Sequence, residues 1–273
     1  MKTETSPNPA FSRILRLSGT TWFCVAVLGQ AIFVIYILGF YGRRTVTGDY
    51  AGWNDRQVIT GHVAGDDVGN LVFALHVLLA AVMTAGGVLQ LVPALRRRFP
   101  AFHRWNGRTF LTLAVLMALS GLWATWVRGS YLSIISGLSV SLNGVLILIF
   151  AAQTIRHAVA RRIVVHEVWA MRLFMVASGV WFFRVGLMAW VILNQGPHGN
   201  NETLTGPADI GLSLSSYLLP LAAYEIYRIG KRTKSASLRL AVAGLVAALT
   251  LVTMIGVGGA AAFMWLPALT SPQ

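Results

Sequence analysis

The amino-acid sequence predicts an all-α, polytopic bundle of membrane-spanning helices, from its composition, its long apolar segments and the placement of its basic residues. The chain is 56% hydrophobic and 11% charged, whereas a soluble domain carries roughly 25% charged residues. This composition excludes a soluble enzyme, a disordered chain and a nucleic-acid-binding module, although the formal net charge is +13. The one cysteine, Cys24, excludes a disulfide framework and a thiolate metal cluster.

Seven apolar segments are long enough to cross a membrane, since a hydrocarbon core of about 30 Å requires about 20 residues of helix. Basic residues or turns rich in Gly, Asn and Pro separate them. The segments are Thr20–Tyr41, Asn70–Leu95, Thr109–Val127, Ile134–Ile155, Met171–Leu193, Ile210–Tyr227 and Leu240–Leu266. The first is too long for the apolar part of a signal peptide and no small-residue cleavage site follows it, so we expect it to remain in the mature protein.

The basic residues predict the orientation, because Lys and Arg near the ends of a span resist translocation. With the N-terminus inside, only four of the 22 basic residues fall on the outer side, namely Arg43, Arg44, Arg56 and Arg128. Arg184 lies within a span, and all the others, from Lys2 to Arg239, fall on the inner side. We therefore expect seven spans, the N-terminus inside, the C-terminus outside, and contacts between the inner basic clusters and anionic lipid headgroups.

Several classes of membrane protein do not fit the residues within the spans. No span contains a lysine, which excludes a retinal Schiff base. No chain of intramembrane carboxylates of the kind found in proton pumps is present. The acid and base of a Ser-His-Asp site, and the His-Glu-x-x-His motif of zinc hydrolases, are also missing. A hydrolase is therefore not expected.

Three of the six histidines lie at predicted inner helix ends. His103 opens the third helix, His157 closes the fourth, and His166 opens the fifth. A b-type haem requires two imidazoles on different helices at one membrane depth, which His103 and His166 satisfy, with His157 as a substitute for either. The cations available for the haem propionates are Arg104, Arg108 and Arg172. Under the alternative interpretation these histidines cap helix ends and contact lipid phosphates.

A second group of polar residues lies within the spans and predicts a substrate or polar pocket. Arg184 is the strongest signal, because an arginine in the bilayer costs about 2.5–3.5 kcal/mol on insertion scales and usually has a partner or faces a cavity. His76 and Gln90 share a stripe of the second helix, and Asn143 is a candidate partner for Arg184. The alternative is a structural cluster of interhelical hydrogen bonds.

These polar residues resemble a family of bacterial membrane proteins designated domain of unknown function 2306 (DUF2306). The matching pattern runs from His76 to Gln90 and then through His103–Arg108, close to the family's His-Arg-Trp-x-Gly-Arg. It closes with His166–Arg172 and Arg184. The resemblance implies a multi-pass protein of the bacterial inner membrane, and it implies no activity. A looser likeness to the cores of cytochromes b561 implies at most one haem, because His76 has no histidine opposite it.

We therefore expect one integral membrane domain over residues 1–273, with a four-helix core at 70–193. Residues 1–69 add the first span and an outer loop, and residues 194–273 add the last two spans. Three functions remain open: electron transfer through a haem b held by His103 and His166, binding or transport of a small anion or quinone by Arg184 and His76, and a non-catalytic membrane scaffold.

Overall fold

The computed structural model describes residues 9–55 and 60–270, which form helices joined by short turns and contain no β-strand. Lys2 and Arg56, which entered the charge count above, lie outside the described residues. The helices are α1 (Pro9–Ile37), α2 (Arg43–Thr47), α3 (Asp67–Gln90), α4 (Pro93–Arg98), α5 (Pro100–Trp126), α6 (Ile134–Val159), α7 (Ile163–Ala177), α8 (Gly179–Leu193), α9 (Pro207–Arg232), α10 (Ala236–Gly259) and α11 (Leu266–Thr270).

Two pairs of these helices are continuous through a short π-helical segment. Leu38–Gly42 joins α1 to α2, and Ala260–Trp265 joins α10 to α11. The resulting rods cover Ala10–Thr47 and Ala236–Thr270, and both are longer than the apolar segments seen in the sequence.

Five of the helical segments are long and apolar enough to cross a membrane: the two continuous rods, α3, α5 and α6. Together α7 and α8 make a sixth candidate, as a single span bent by 54°. The remaining predicted segment, Ile210–Tyr227, lies in α9, which has 26 residues but is not among these apolar candidates. With Glu225 and the basic residues that follow it, α9 is more polar than the helices that qualify as membrane spans.

The second and third predicted segments have different limits in the structure, and prolines account for both. The second segment extends to Leu95, but α3 ends at Gln90 because Pro93 begins a new short helix and holds Val92 in an extended conformation. The third begins at Pro100 rather than at Thr109, with proline in the first turn, where its missing N–H costs nothing.

The prediction of one unbroken helix over Met171–Leu193 was wrong. α7 ends at Ala177, α8 begins at Gly179, and the chain bends at Ser178 between them. Glycine at position 179 lets α6 approach the bend closely, because a Cβ atom there would lie only 2.8 Å from Nδ2 of Asn143 on α6. The hydropathy of the segment gives no sign of this break, because both halves are apolar.

The helices pack as a closed bundle in which α1 contacts α3 and α10, α3 contacts α5, and α5 contacts α6. α7 packs on α6 and α9, while α8 packs on α9 and α10. The bent pair supplies some of the most enclosed side chains of the molecule, including Leu173, Val176 and Trp181.

The helix ends predicted to lie inside meet at one end of this bundle. At the starts of α10 and α1, Arg239 Nη1 donates a hydrogen bond of 2.9 Å to Ser12 Oγ. The ion pair between Arg96 and Glu167 joins α4 to α7. We call this end, which holds Ser12, residues 90–108, 154–172 and 224–239, the basic end.

Candidate functional site

The three histidines predicted at the inner helix ends lie at the basic end. His103 is in the first turn of α5, His157 is in the last turn of α6, and His166 is near the start of α7. The order of helices along the chain reverses direction at each turn, which brings these ends together. His103 and His166 therefore lie at the same end of the bundle.

Two carboxamides fasten α3 to α5 below His103. Gln90 Nε2 donates a 2.8 Å hydrogen bond to the carbonyl of His103. One turn further along α5, Asn106 Nδ2 donates to the carbonyl of Gly86 at 2.8 Å. Gln90 therefore positions the backbone of His103 and does not line a pocket with His76. Asn106 lies inside the His103–Arg108 motif but was not among the predicted site residues.

The imidazole of His103 has a free nitrogen and charged neighbours. Its Nδ1 is buried and has no hydrogen-bond partner among the described residues. The groups within electrostatic range of the ring are Arg96, His166, Arg104 and Glu167. His103 and His166 are thus neighbours at the basic end.

The imidazole of His166 is oriented by the backbone of α6. Its Nδ1 lies 3.0 Å from the carbonyl oxygen of Thr154. A carbonyl can only accept, so Nδ1 carries a proton, and in the neutral imidazole Nε2 keeps its lone pair. Ligand histidines in metal sites are commonly held in this way. His157 is not held by such a bond, and its Nδ1 is buried without a partner among the described residues.

Two of the three arginines predicted to bind propionates have other contacts. Arg172 Nε donates to Glu225 Oε1 at 2.7 Å, and its guanidinium lies 4.3 Å from the ring centre of Trp169. Arg108 lies over Trp105, a ring that is 67% exposed. The ion pair of Arg172 with Glu225 joins α7 to α9.

The residues of the predicted polar pocket have separate hydrogen-bond partners in the structure. His76 Nδ1 lies 2.8 Å from Ser120 Oγ, and the serine hydroxyl donates to the carbonyl of Met117, so the imidazole donates to Ser120. This bond joins α3 to α5. Arg184 instead lies on α8, where Nη1 donates to the carbonyl of Val180 at 3.2 Å. Asn143 lies beside the start of α8 at Gly179.

At the opposite end of the bundle, two predicted outer arginines anchor loops. Arg44 is completely buried and pairs with Asp49 at 3.2 Å and Asp55 at 2.7 Å. Arg128 Nε donates to Asp66 Oδ2 at 2.7 Å, and this hydrogen bond is the largest cause that lowers the pKa of the Asp66 carboxyl. The described part of the chain contains no group of three His, Cys, Asp or Glu side chains placed to hold a metal ion.

Comparison with known proteins gives one family match, and it covers the candidate residues. No curated protein and no solved structure matches the chain. The family described as predicted membrane protein (DUF2306) matches residues 73–206, which run from α3 to the loop before α9 and include the three histidines of the basic end, His76 and Arg184. This range, 134 of the 273 residues, resembles the DUF2306 family of predicted membrane proteins.

Proposed function

We propose that the protein is a membrane electron-transfer component that holds a single b-type haem between His103 and His166. The observation that carries the proposal is the meeting of two imidazoles from α5 and α7 at one end of the bundle, within range of each other's charge. His166 already has the second-sphere hydrogen bond typical of a ligand histidine, to the carbonyl of Thr154.

The residues at the basic end fit such a cofactor in part. The buried, unpartnered Nδ1 of His103 and the free Nε2 of His166 are two nitrogen donors suited to haem iron. Arg104, near His103, is the cation best placed for a propionate, because no described acidic residue pairs with it. Arg172 is less suitable, since Glu225 already neutralises it. A bound haem would supply a one-electron redox centre.

The surrounding residues would keep the two ligands in place. The bond from Gln90 fixes the backbone of His103, and the bond to Thr154 fixes the ring and tautomer of His166. The ion pair between Arg96 and Glu167 joins α4 to α7 near these two histidines. The basic surroundings favour a negatively charged redox partner or propionate over a cationic one.

We further propose that the bundle crosses a bacterial inner membrane seven times, with the basic end on the cytoplasmic side. α9 supplies the seventh crossing: 26 residues span about 39 Å at roughly 1.5 Å per residue, and its charged Glu225–Arg232 segment lies at the basic end. The N-terminus is then inside and the C-terminus outside, and the basic end contacts anionic lipid headgroups.

Difference spectroscopy tests the haem proposal. Purified full-length protein, reduced with dithionite, should show a sharp haem α band relative to its oxidised form. His103→Ala and His166→Ala should each abolish the band, whereas His157→Ala and the loop variant His198→Ala should retain it. A colourless preparation from haem-replete cells contradicts the proposal, as does a band that survives both ligand substitutions.

A second candidate, a non-catalytic scaffold, is favoured by one set of contacts. Several polar residues of the family pattern join α3 to α5: Gln90 to His103, Asn106 to Gly86, and His76 to Ser120. If the preparation is colourless and His103→Ala only lowers the unfolding temperature, this packing role replaces the redox role.

A further inference from the structure

The break between α7 and α8 places helix ends in the middle of a span. Each half has 15 residues, so Ser178 is about equally far from both ends of the bent pair. No side chain caps the first turn of α8, and the first N–H groups of a helix have no partners within the helix. Gly179 and Trp181 are buried, so their N–H groups lie away from water. The start of a helix carries a partial positive charge and suits an anion.

A second positive group lies beside this helix start. The side chain of Arg184 runs back toward the N-terminus of α8, where Nη1 bonds the carbonyl of Val180. Its guanidinium lies 5.5 Å from the ring centre of Phe33 on α1. Among the described residues no acidic side chain pairs with Arg184. The cost of an arginine inside a bilayer is thus not offset by an acid of the chain itself.

Buried side chains on the same side of the break have polar atoms without partners. Gln30 on α1 is 1% exposed; its Nε2 donates to Ser178 Oγ at 3.2 Å, and Oε1 has no partner. Trp181 is 2% exposed and its Nε1 has no acceptor among the described residues. A Cβ atom at Gly29 would lie 2.8 Å from the Trp181 ring, so this ring packs on α1 next to Gln30.

The position of Gln30 links these groups to the cation. Gln30 and Phe33 are one turn apart on α1, so the carboxamide and the guanidinium of Arg184 approach the break from the same helix face. Rotation of the carboxamide by half a turn lets Oε1 accept from the Ser178 hydroxyl and directs Nε2 outward as a donor. After this rotation Nε2 of Gln30, Nε1 of Trp181 and the guanidinium of Arg184 are three side-chain donors near the break.

We propose that the α7–α8 break binds a small monovalent anion, held by Arg184, the first N–H groups of α8, Trp181 Nε1 and Gln30. A single charge is specified because one guanidinium is the only uncompensated formal charge on the described residues of this cluster. The donors require an acceptor-only ligand, such as a halide or a short carboxylate. Half-helix N-termini near the membrane midplane bind anionic groups in this way in transporters. The site does not depend on the haem proposal.

Anion-dependent thermal unfolding of the full-length protein in detergent tests the site. Sodium chloride and sodium formate are each titrated against sodium gluconate at constant ionic strength. The unfolding temperature of the unaltered protein should rise saturably with chloride or formate, because a ligand that binds only the folded state stabilises it. Arg184→Gln should lose this rise, and Arg43→Gln, at an exposed outer arginine, should retain it.

Trp181→Phe keeps the aromatic ring and removes only the indole N–H, so it separates ligand binding from folding. It should weaken the apparent anion affinity about tenfold, the effect of one hydrogen bond to a charged group. Equal unfolding temperatures in chloride, formate and gluconate would overturn the proposal. So would an unchanged anion response in both Arg184→Gln and Trp181→Phe.

Discussion

At the scale of single residues, the role of an arginine inside or beside the bundle depends on the group that it contacts. Arg44, Arg128 and Arg172 each pair with a carboxylate, whereas Arg184 contacts a carbonyl and an aromatic ring. The paired arginines join loops or helices, and their removal should affect stability. Within residues 9–55 and 60–270 no carboxylate pairs with Arg184, which is why it is the centre of the proposed anion site.

The pair of Arg128 and Asp66 makes a pH-dependent contribution to stability. The hydrogen bond from Arg128 lowers the pKa of Asp66 in the folded protein below its unfolded value, which is about 3.9. The pair therefore stabilises the fold above that pH and loses its effect as the pH falls through the folded pKa. Arg128→Gln should lower the unfolding temperature at pH 6, and the difference from the unaltered protein should shrink toward pH 3.

Asp66→Asn provides the control for this pH dependence. In that background the effect of Arg128→Gln should no longer vary between pH 6 and pH 3, because the titrating carboxyl is absent. The remaining hydrogen bonds of Arg128, to Gly61 and Asn70, do not titrate in this range. A gap that widens as the pH falls is the opposite of the expected result.

The sequence indicates which residues are unusual but not what they contact. His103, His166 and Arg184 are conspicuous because they are polar residues in or beside apolar segments. Their partners, such as Thr154 and Phe33, are ordinary residues distant in the chain. Such contacts depend on helix rotation, and hydropathy does not specify the rotation of a helix that is apolar on most sides.

At the scale of helices, small residues determine how closely neighbours approach. Gly256 on α10 lies against the backbone of α8, and a Cβ atom there would overlap the carbonyl oxygen of Val185. Gly258, two residues further along the same helix, has open space where its Cβ would be. The close crossing of α8 and α10 therefore requires glycine at only one of these two positions.

This contrast predicts opposite outcomes for two similar substitutions. Gly256→Ala should destabilise the protein by about 1–3 kcal/mol, because the helices must separate or bend. Gly258→Ala should be neutral or stabilising by up to about 1 kcal/mol, since alanine is the better helix former. Thermal unfolding in one detergent measures both. Equal destabilisation by the two variants would contradict the proposed crossing.

The existence of the apolar helices was predictable from length and hydropathy, and their ends were less so. The end of α3 and the start of α5 differ from the predicted limits because of Pro93 and Pro100, and both prolines are visible in the sequence. The bend at Ser178 was not predictable from the sequence, because the residues that contact it, Gln30 and Asn143, belong to other helices. The proposed anion site depends on that bend.

At the scale of the whole molecule, the fold gathers the basic helix ends and the imidazoles at one end. The clusters of Lys and Arg on which the proposed orientation rests also surround His103 and His166, the proposed haem ligands. The class of fold was predictable because it follows from composition, and charge asymmetry favours one orientation. The number of crossings depends on α9, whose composition is intermediate.

The side of the membrane on which the basic end lies is best measured by labelling single cysteines. In a Cys24→Ser background, Ala160→Cys and Ser235→Cys report on the basic end, and Ser130→Cys and Thr270→Cys report on the opposite side. With an impermeant maleimide, we expect Ser130→Cys and Thr270→Cys to label in intact spheroplasts, and the other two only after permeabilisation. Labelling of Ala160→Cys and Ser235→Cys from opposite sides, or of Thr270→Cys only after permeabilisation, would contradict the account.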